Sequence, residues 1–245
     1  MAPKPLIKFD TGVASHAGAS FFCEQLALLQ LAPTGRRLRI LVAGSGEGHE
    51  AEYIQRQLSA RVCAIDLNFS PAREFDDLPH LAFMYGSVEN LPYREQVFDA
   101  VFYHHVIEHV ENPAASLREI ARVLTSSGIM FIGTPNRNRA FSALGSQDNP
   151  HWESTILNKC RANLDDWKAR LQGRFRNELG AHAGFTLSEL DTIMSPLFAK
   201  RRWLTREYLL HKYRGHYLES VVKIAATRPL INVTAPSIYA LCAKA

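Results

Sequence analysis

Residues 39–54 read RILVAGSGEGHEAEYI. The apolar stretch Ile40–Ala43 runs into glycines at 44, 46 and 48, and helix-forming residues follow. Glycine weakens the interior of both strands and helices. Three of them, each separated by one residue, therefore mark a strand-to-helix turn whose backbone can approach another molecule closely. A tight turn with no ligand is the plainer alternative. The spacing is GxGxG and not the dinucleotide fingerprint GxGxxG, whose third glycine position is taken by His49.

Outward from this turn the chain alternates. Leu38–Ala43, Arg61–Ile65, Leu81–Tyr85, Phe98–Tyr103 and Ile129–Gly133 read as short buried strands, with Ala199–Leu204 and Ser237–Ala243 as a sixth and seventh. Ala51–Leu58 reads as the helix behind the glycines. A second helix starts at Pro113 with Asn112 as N-cap, carries Leu117, Ile120, Ala121 and Leu124 at helical spacing, and ends at Ser126–Gly128. Strands alternating with helices imply a parallel sheet covered on both faces. Such sheets bind ligands beyond the C-terminal ends of their strands, near the point where strand order reverses. The residues just after each strand are thus the candidates for function.

Composition agrees with a globular α/β domain. The chain has 245 residues, 47% hydrophobic and 21% charged, with net charge +4. Its apolar runs are too short for a membrane span, and MAPKPLIKFD lacks a signal core. Cys23, Cys63, Cys160 and Cys242 form no CxxC pair, which argues against a disulfide framework or a zinc knuckle. A cytoplasmic setting and no metal are the expectations. The mild positive charge permits an anionic partner without demanding one.

After the second strand stands Asp66, in AIDLNFS, 22 residues beyond Gly44. A carboxylate there can accept both hydroxyls of a ribose, in charge-assisted bonds worth about 1.5–3 kcal/mol each; alone it would equally serve as a helix cap. After the third strand comes GSVENLPY (86–93), where Ser87 and Val88 can meet a base edge or form an ordinary polar loop. After the fourth comes HHVIEHV (104–110), and after the fifth TPNRN (134–138).

Taken in order, ILVAGSGEG, AIDLNFS, GSVENLPY, FDAVFYHHVIEHV, RVLTSSGIMFIGTPNRN and GFTLSEL resemble the motifs of the class I S-adenosylmethionine-dependent methyltransferases, most closely the branch holding the quinone-biosynthesis enzymes. The resemblance covers about residues 38–138 well and the C-terminal third loosely. It implies an α/β, Rossmann-like, doubly wound seven-stranded sheet, mostly parallel with an antiparallel last strand, helices on both faces and helical cap insertions. It also implies S-adenosyl-L-methionine as cofactor and S-adenosyl-L-homocysteine as product. Carried over position by position, the backbone of Ala43, Gly44 and Gly46 would meet the methionine moiety, Asp66 the ribose, Leu67 and Val88 the adenine faces, Ser87 its amino group and His104 the opposite side. Two departures stand out. The family usually has an acidic residue where Val42 stands, so Glu47 or backbone carbonyls must serve the methionine ammonium. At His105 the quinone-biosynthesis branch commonly has glutamate, which weakens any transfer of its substrate or metal use.

Transfer of an activated methyl group asks mainly for alignment, plus a general base when the acceptor is a hydroxyl or ammonium. Histidine suits that task near neutral pH. His105 is the candidate base, against the simpler role of pocket wall; His109 is expected to pack or cap, and His151 and His182 are further candidates. His105-Val-Ile-Glu108-His109 also satisfies HxxEH, a zinc-peptidase signature that requires a helix and leaves the glycine turn unexplained.

The expected acceptor is a small molecule, methylated at oxygen or nitrogen. Residues 1–35 form an N-terminal segment with a helix near Ser20–Leu31 covering the site, and 36–245 the methyltransferase domain, with cap insertions at about 137–184 and 206–236. In the first insertion Leu164, Trp167, Leu171 and Phe175 recur at helical spacing behind Asn163 as cap, and read as a helix packed on the domain; Arg170, Arg174 and Arg176 read as its solvated face. In the second, a helical pattern runs through Leu209–Ile224. These pieces could enclose a small-molecule site or build a homodimer interface. A nucleic-acid or protein methyltransferase is the alternative, for which Arg36, Arg37, Arg39 and Lys200–Arg202 supply charge. Against nucleic acid, the fourth strand is followed by YHHVIE and not by the (Asp/Asn)-Pro-Pro-aromatic loop of base-amino enzymes; Asn149-Pro150-His151-Trp152 comes only after the fifth. A non-catalytic cofactor-binding subunit is a further alternative.

Overall fold

The computed structural model describes residues 16–31, 35–68, 78–140, 156–177, 182–215 and 218–244. His151 and the Asn149–Trp152 stretch lie outside them.

The elements run α1 (Ala17–Leu28), β1 (Arg39–Ala43), α2 (His49–Leu58), β2 (Arg61–Asp66), β3 (Leu81–Tyr85), β4 (Phe98–His104), α3 (Pro113–Val123), β5 (Leu124–Pro135), α4 (Ile156–Leu171), α5 (Leu187–Met194), β6 (Lys200–Trp203), α6 (Thr205–Lys212), α7 (Glu219–Ala225), α8 (Ile231–Thr234) and β7 (Ser237–Ala243). Seven strands form one sheet in the order β3-β2-β1-β4-β5-β7-β6. All are mutually parallel except β7, which runs antiparallel to both β5 and β6. The order reverses between β1 and β4, so the ends of those strands flank the cleft where such sheets take ligands.

Alternation along the strands builds two cores. Leu41 and Ala43 of β1 join Val101, Tyr103 and Ile132 under α3 and α5. Ile40 and Val42 face the other side, with Phe102 and Phe131, under α1, α2 and α6. Strand β4, central in the sheet, is buried from Phe98 to Tyr103. Asp99 anchors its start: its carboxylate accepts from both terminal nitrogens of Arg36 (2.6 and 2.7 Å) and from the Arg39 amide (2.9 Å).

Helix α3 is capped as its sequence implies, the Asn112 side chain accepting from the Ala115 amide at 3.0 Å. It ends at Val123, before the expected Ser126–Gly128. Leu124 pairs with Phe98, and a bulge absorbs the next residues before Ala100 meets Ile129; pairing with a buried neighbour overrides local helix preference there. Thr186 and Glu189 close a capping box at α5.

The insertions depart further from expectation. Helix α4 starts at Ile156, so Asn163 lies inside it and not at its N-cap. Leu164, Trp167 and Leu171 are 69%, 51% and 90% exposed, so the apolar stripe is largely uncovered by the described residues. Only Phe175, beyond the helix end, is buried, beneath the guanidiniums of Arg139 and Arg170. Periodicity identified the helix but not what faces it. The pattern over Leu209–Ile224 divides into α6 and α7, with Gly215 at φ +72° between them.

Candidate cofactor and catalytic site

The glycine turn hangs from β2. The amides of Gly44 and Ser45 both donate to the Ile65 carbonyl (2.8 and 3.1 Å). Gly44 holds φ +78°, and an added Cβ would lie 2.2 Å from Val106, in the loop after β4. Gly46, at φ +50°, has open space where its Cβ would be. The first glycine thus permits close packing, while the second leaves the surface bare. Alanine at Gly46 would accept a left-handed backbone, at about 1–2 kcal/mol, and fill that space. The expected result is a folded protein with severalfold weaker S-adenosylhomocysteine binding, read by calorimetry.

Asp66 ends β2 and joins the two loops: one carboxylate oxygen accepts from the Gly46 amide at 2.8 Å, the other from Asn68 at 2.9 Å. An ionised carboxylate has about four acceptor positions, so two stay available. Beside it Leu67 is 67% exposed, an apolar face standing open next to a charge. Across from it, Val88 is buried and Ser87 Oγ accepts from the Glu89 amide at 3.1 Å.

His104 closes the other side. Its Nδ1 lies 3.2 Å from Glu50 of α2, and its ring lies against Gly18 of α1, where any side chain would overlap it. Among the described residues, two buried polar atoms near the turn lack partners: Ser45 Oγ and His104 Nε2. Burying a polar atom unpaired costs about 1–3 kcal/mol. Open space above Gly46, spare carboxylate lone pairs, a bare leucine and two orphaned polar atoms therefore fit a bound nucleoside with a polar tail. The departure at Val42 is explained by its burial in the core (1% exposed). Glu47 pairs with His49 at 3.2 Å; Glu50, which no motif marked, is the carboxylate that reaches His104.

His105 follows at φ +54°, a left-handed conformation rare for non-glycine residues. Two contacts hold it there: its amide donates to the Gly133 carbonyl at 2.8 Å, and Nδ1 lies 3.2 Å from Glu108. The Glu108 side chain is 1% exposed and also accepts from Thr134 Oγ1 at 3.1 Å. Burial pushes the Glu108 carboxyl up, but the hydrogen bond and charge of His105 outweigh it, and the net direction is down. An ionised Glu108 can only accept, so His105 Nδ1 carries the proton and Nε2 is left with its lone pair. The imidazole is held below its usual range, first by its crowded surroundings and then by His104, against the pull of Glu108. Its side chain nevertheless keeps 37% of its surface open.

His109 and His182 stack edge to face at 4.7 Å, and His109 lies 4.0 Å from Glu108. The structure thus gathers His105, Glu108, His109 and His182. The HxxEH residues occupy a bend after β4 and a turn, not a helix, so the peptidase arrangement is absent. Sequence reading missed Glu108 as a partner and the work of TPNRN. Asn136 donates to the carbonyls of Asn232 and Ala235 (2.8 and 3.0 Å); Arg139 donates to those of Ala183 and His182 and to Asp166. One loop ties both insertions to the sheet.

The basic clusters are partly consumed internally. Arg36 and Arg39 pair with Asp99, Arg37 donates to the Ser59 carbonyl, Arg201 pairs with Asp191, and Arg170 lies 4.0 Å over the Phe175 ring. The face of α4 read as solvated is therefore partly a stacking surface. No helix among the described residues is long and apolar enough to cross a membrane.

A family model described as a methyltransferase domain matches residues 41–132. The ubiquinone biosynthesis O-methyltransferase of Methylocella silvestris is 37% identical over 169 residues, covering 65% of this chain and 63% of that protein. Its namesake from Rhodopseudomonas palustris is 40% identical over 106 residues, 41% of each chain. A geranyl diphosphate methyltransferase solved with S-adenosylmethionine has the same fold, with TM-score 0.53 and 17% identity over 94% of this chain and 84% of that one. The chain spans less than two thirds of the length of the curated relatives it matches. Sheet order, motif order and these matches agree: residues 41–132 carry a methyltransferase domain, in a sheet with the class I S-adenosylmethionine-dependent methyltransferase fold.

Proposed function

We propose that the protein transfers a methyl group from S-adenosylmethionine to an oxygen or nitrogen atom of a small molecule, in the cytoplasm, with His105 as general base. The observation carrying this reading is the chain Thr134–Glu108–His105, which leaves a neutral imidazole nitrogen at the end of β4, beside the cofactor loops. In this reading Asp66 takes the ribose hydroxyls, Leu67 and Val88 the adenine faces, Ser87 its amino group, and the Ala43–Gly46 backbone with Glu50 and His104 the methionine end.

When bound, S-adenosylmethionine supplies a methyl group on cationic sulfur that an acceptor displaces in line. The residues of this chain provide alignment, worth about 7–11 kcal/mol when reactants are well oriented, and proton removal, worth about 10²–10⁴ in rate. His105 Nε2 takes the acceptor proton, and Glu108 stabilises the imidazolium that forms. Helix α1, seated on His104 through Gly18, and the two insertions tied down by Asn136 and Arg139 would enclose the acceptor. The ubiquinone O-methyltransferase names of the relatives support an oxygen acceptor of low mass. Internal pairing of Arg36, Arg39 and Arg201 speaks against a phosphate-tracking surface.

With methyl-tritiated S-adenosylmethionine and a fractionated cell extract, label is expected in low-mass compounds. Label confined to RNA or protein would overturn the reading. The pH profile provides a second check. Because the His105 pKa is lowered, the base is neutral at pH 7 and is lost only on acidification through that lowered value. Turnover should therefore be flat around neutrality and fall on the acid side, below the usual imidazole range near 6.5. His105→Ala should abolish that limb.

A further inference from the structure

Beyond β4, at the same edge of the sheet, β5, β7 and β6 end around a cavity of about 800 Å³. None of its lining residues comes from the loops after β1, β2, β3 or β4, so it is not the cofactor cleft. Its walls are of two kinds. Trp203, Ile231 and Ile238 provide an apolar floor, and Arg206 and Arg228 stand at the exposed rim. Neither arginine has an ion-pair or hydrogen-bond partner among the described residues, in contrast to Arg36, Arg39, Arg139 and Arg201. The lining contains one carboxylate, Glu207, against these two guanidiniums, and net positive charge remains. The first turns of α5 and α6, eight residues each, also open onto it. Helix α6 has no side-chain cap at Leu204, so free amides and a partial positive charge face the same space. Asn136, bonded to the Asn232 and Ala235 carbonyls, holds the floor in place before any ligand arrives.

We propose that this cavity binds a small organic anion, its apolar body against Trp203 and Ile231 and its carboxylate or phosphate between Arg206 and Arg228. Guanidinium forks match both head groups in bidentate geometry. The inference does not depend on methyl transfer, because binding is read without turnover. Calorimetry is done on the full chain saturated with S-adenosylhomocysteine, using 2-naphthoate, 2-naphthyl phosphate and neutral 2-naphthylmethanol as probes. At least one anion should bind with one-to-one stoichiometry and about tenfold or more tighter than the alcohol, and the tighter anion identifies the head group. Arg206→Gln and Arg228→Gln should each weaken it about tenfold, while Arg202→Gln, an exposed arginine outside the lining, should leave it unchanged. No binding by either anion, equal binding of the alcohol, or equal loss in Arg202→Gln would overturn the proposal.

Discussion

Asp66→Ala is expected to weaken S-adenosylhomocysteine binding by about tenfold or more, with little change in the melting temperature. Two losses combine. The ribose hydroxyls lose a charged acceptor, each such bond being worth about 1.5–3 kcal/mol. The glycine turn also loses its tether, since the same carboxylate holds the Gly46 amide at 2.8 Å and the Asn68 amide at 2.9 Å. Asp66→Asn separates the effects, because an amide oxygen can still accept from one loop but carries no charge. It should fall between wild type and alanine. An alanine variant that titrates like wild type would remove Asp66 from cofactor binding.

The dyad carries the second large effect. His105→Ala should slow turnover of the labelled low-mass acceptor by about 10²-fold or more and leave S-adenosylhomocysteine affinity within about twofold, since the imidazole is assigned to the acceptor side. Glu108→Gln should reproduce much of that loss while keeping the volume of the buried side chain. Whichever end its amide turns toward His105, the negative charge that supports the imidazolium is gone. Glu108→Ala is a harsher change: Thr134 Oγ1, fully buried, loses its acceptor at a cost of about 1–3 kcal/mol. Full activity in Glu108→Gln would mean that His105 only shapes the pocket wall.

These predictions differ in where they were legible. The position of Asp66 at the end of β2 could be read from sequence because the constraint is local: the strand and the turn behind it are set by neighbouring residues. The same locality made β3 and β7 readable to the residue, and the α3 cap as well. Glu108 was visible only as a letter in HxxEH. Its burial, its bond to Thr134 and the left-handed backbone of His105 arise where β4 and β5 lie side by side, and nothing in a seven-residue window encodes that pairing.

Hydrophobic periodicity, glycine placement and capping residues act over a few positions, so the chain's own sequence determined the strands, the doubly wound order of elements and the places of the loops that follow β1 to β4. Contacts between residues distant in the chain decided the rest. Val42 turned inward, and Glu50 met His104 from another element; Arg139 drew an insertion onto β5, while the apolar stripe of α4 stayed largely exposed. Side chains far apart in sequence compete for the same buried space, and only the packed structure settles which of them win it.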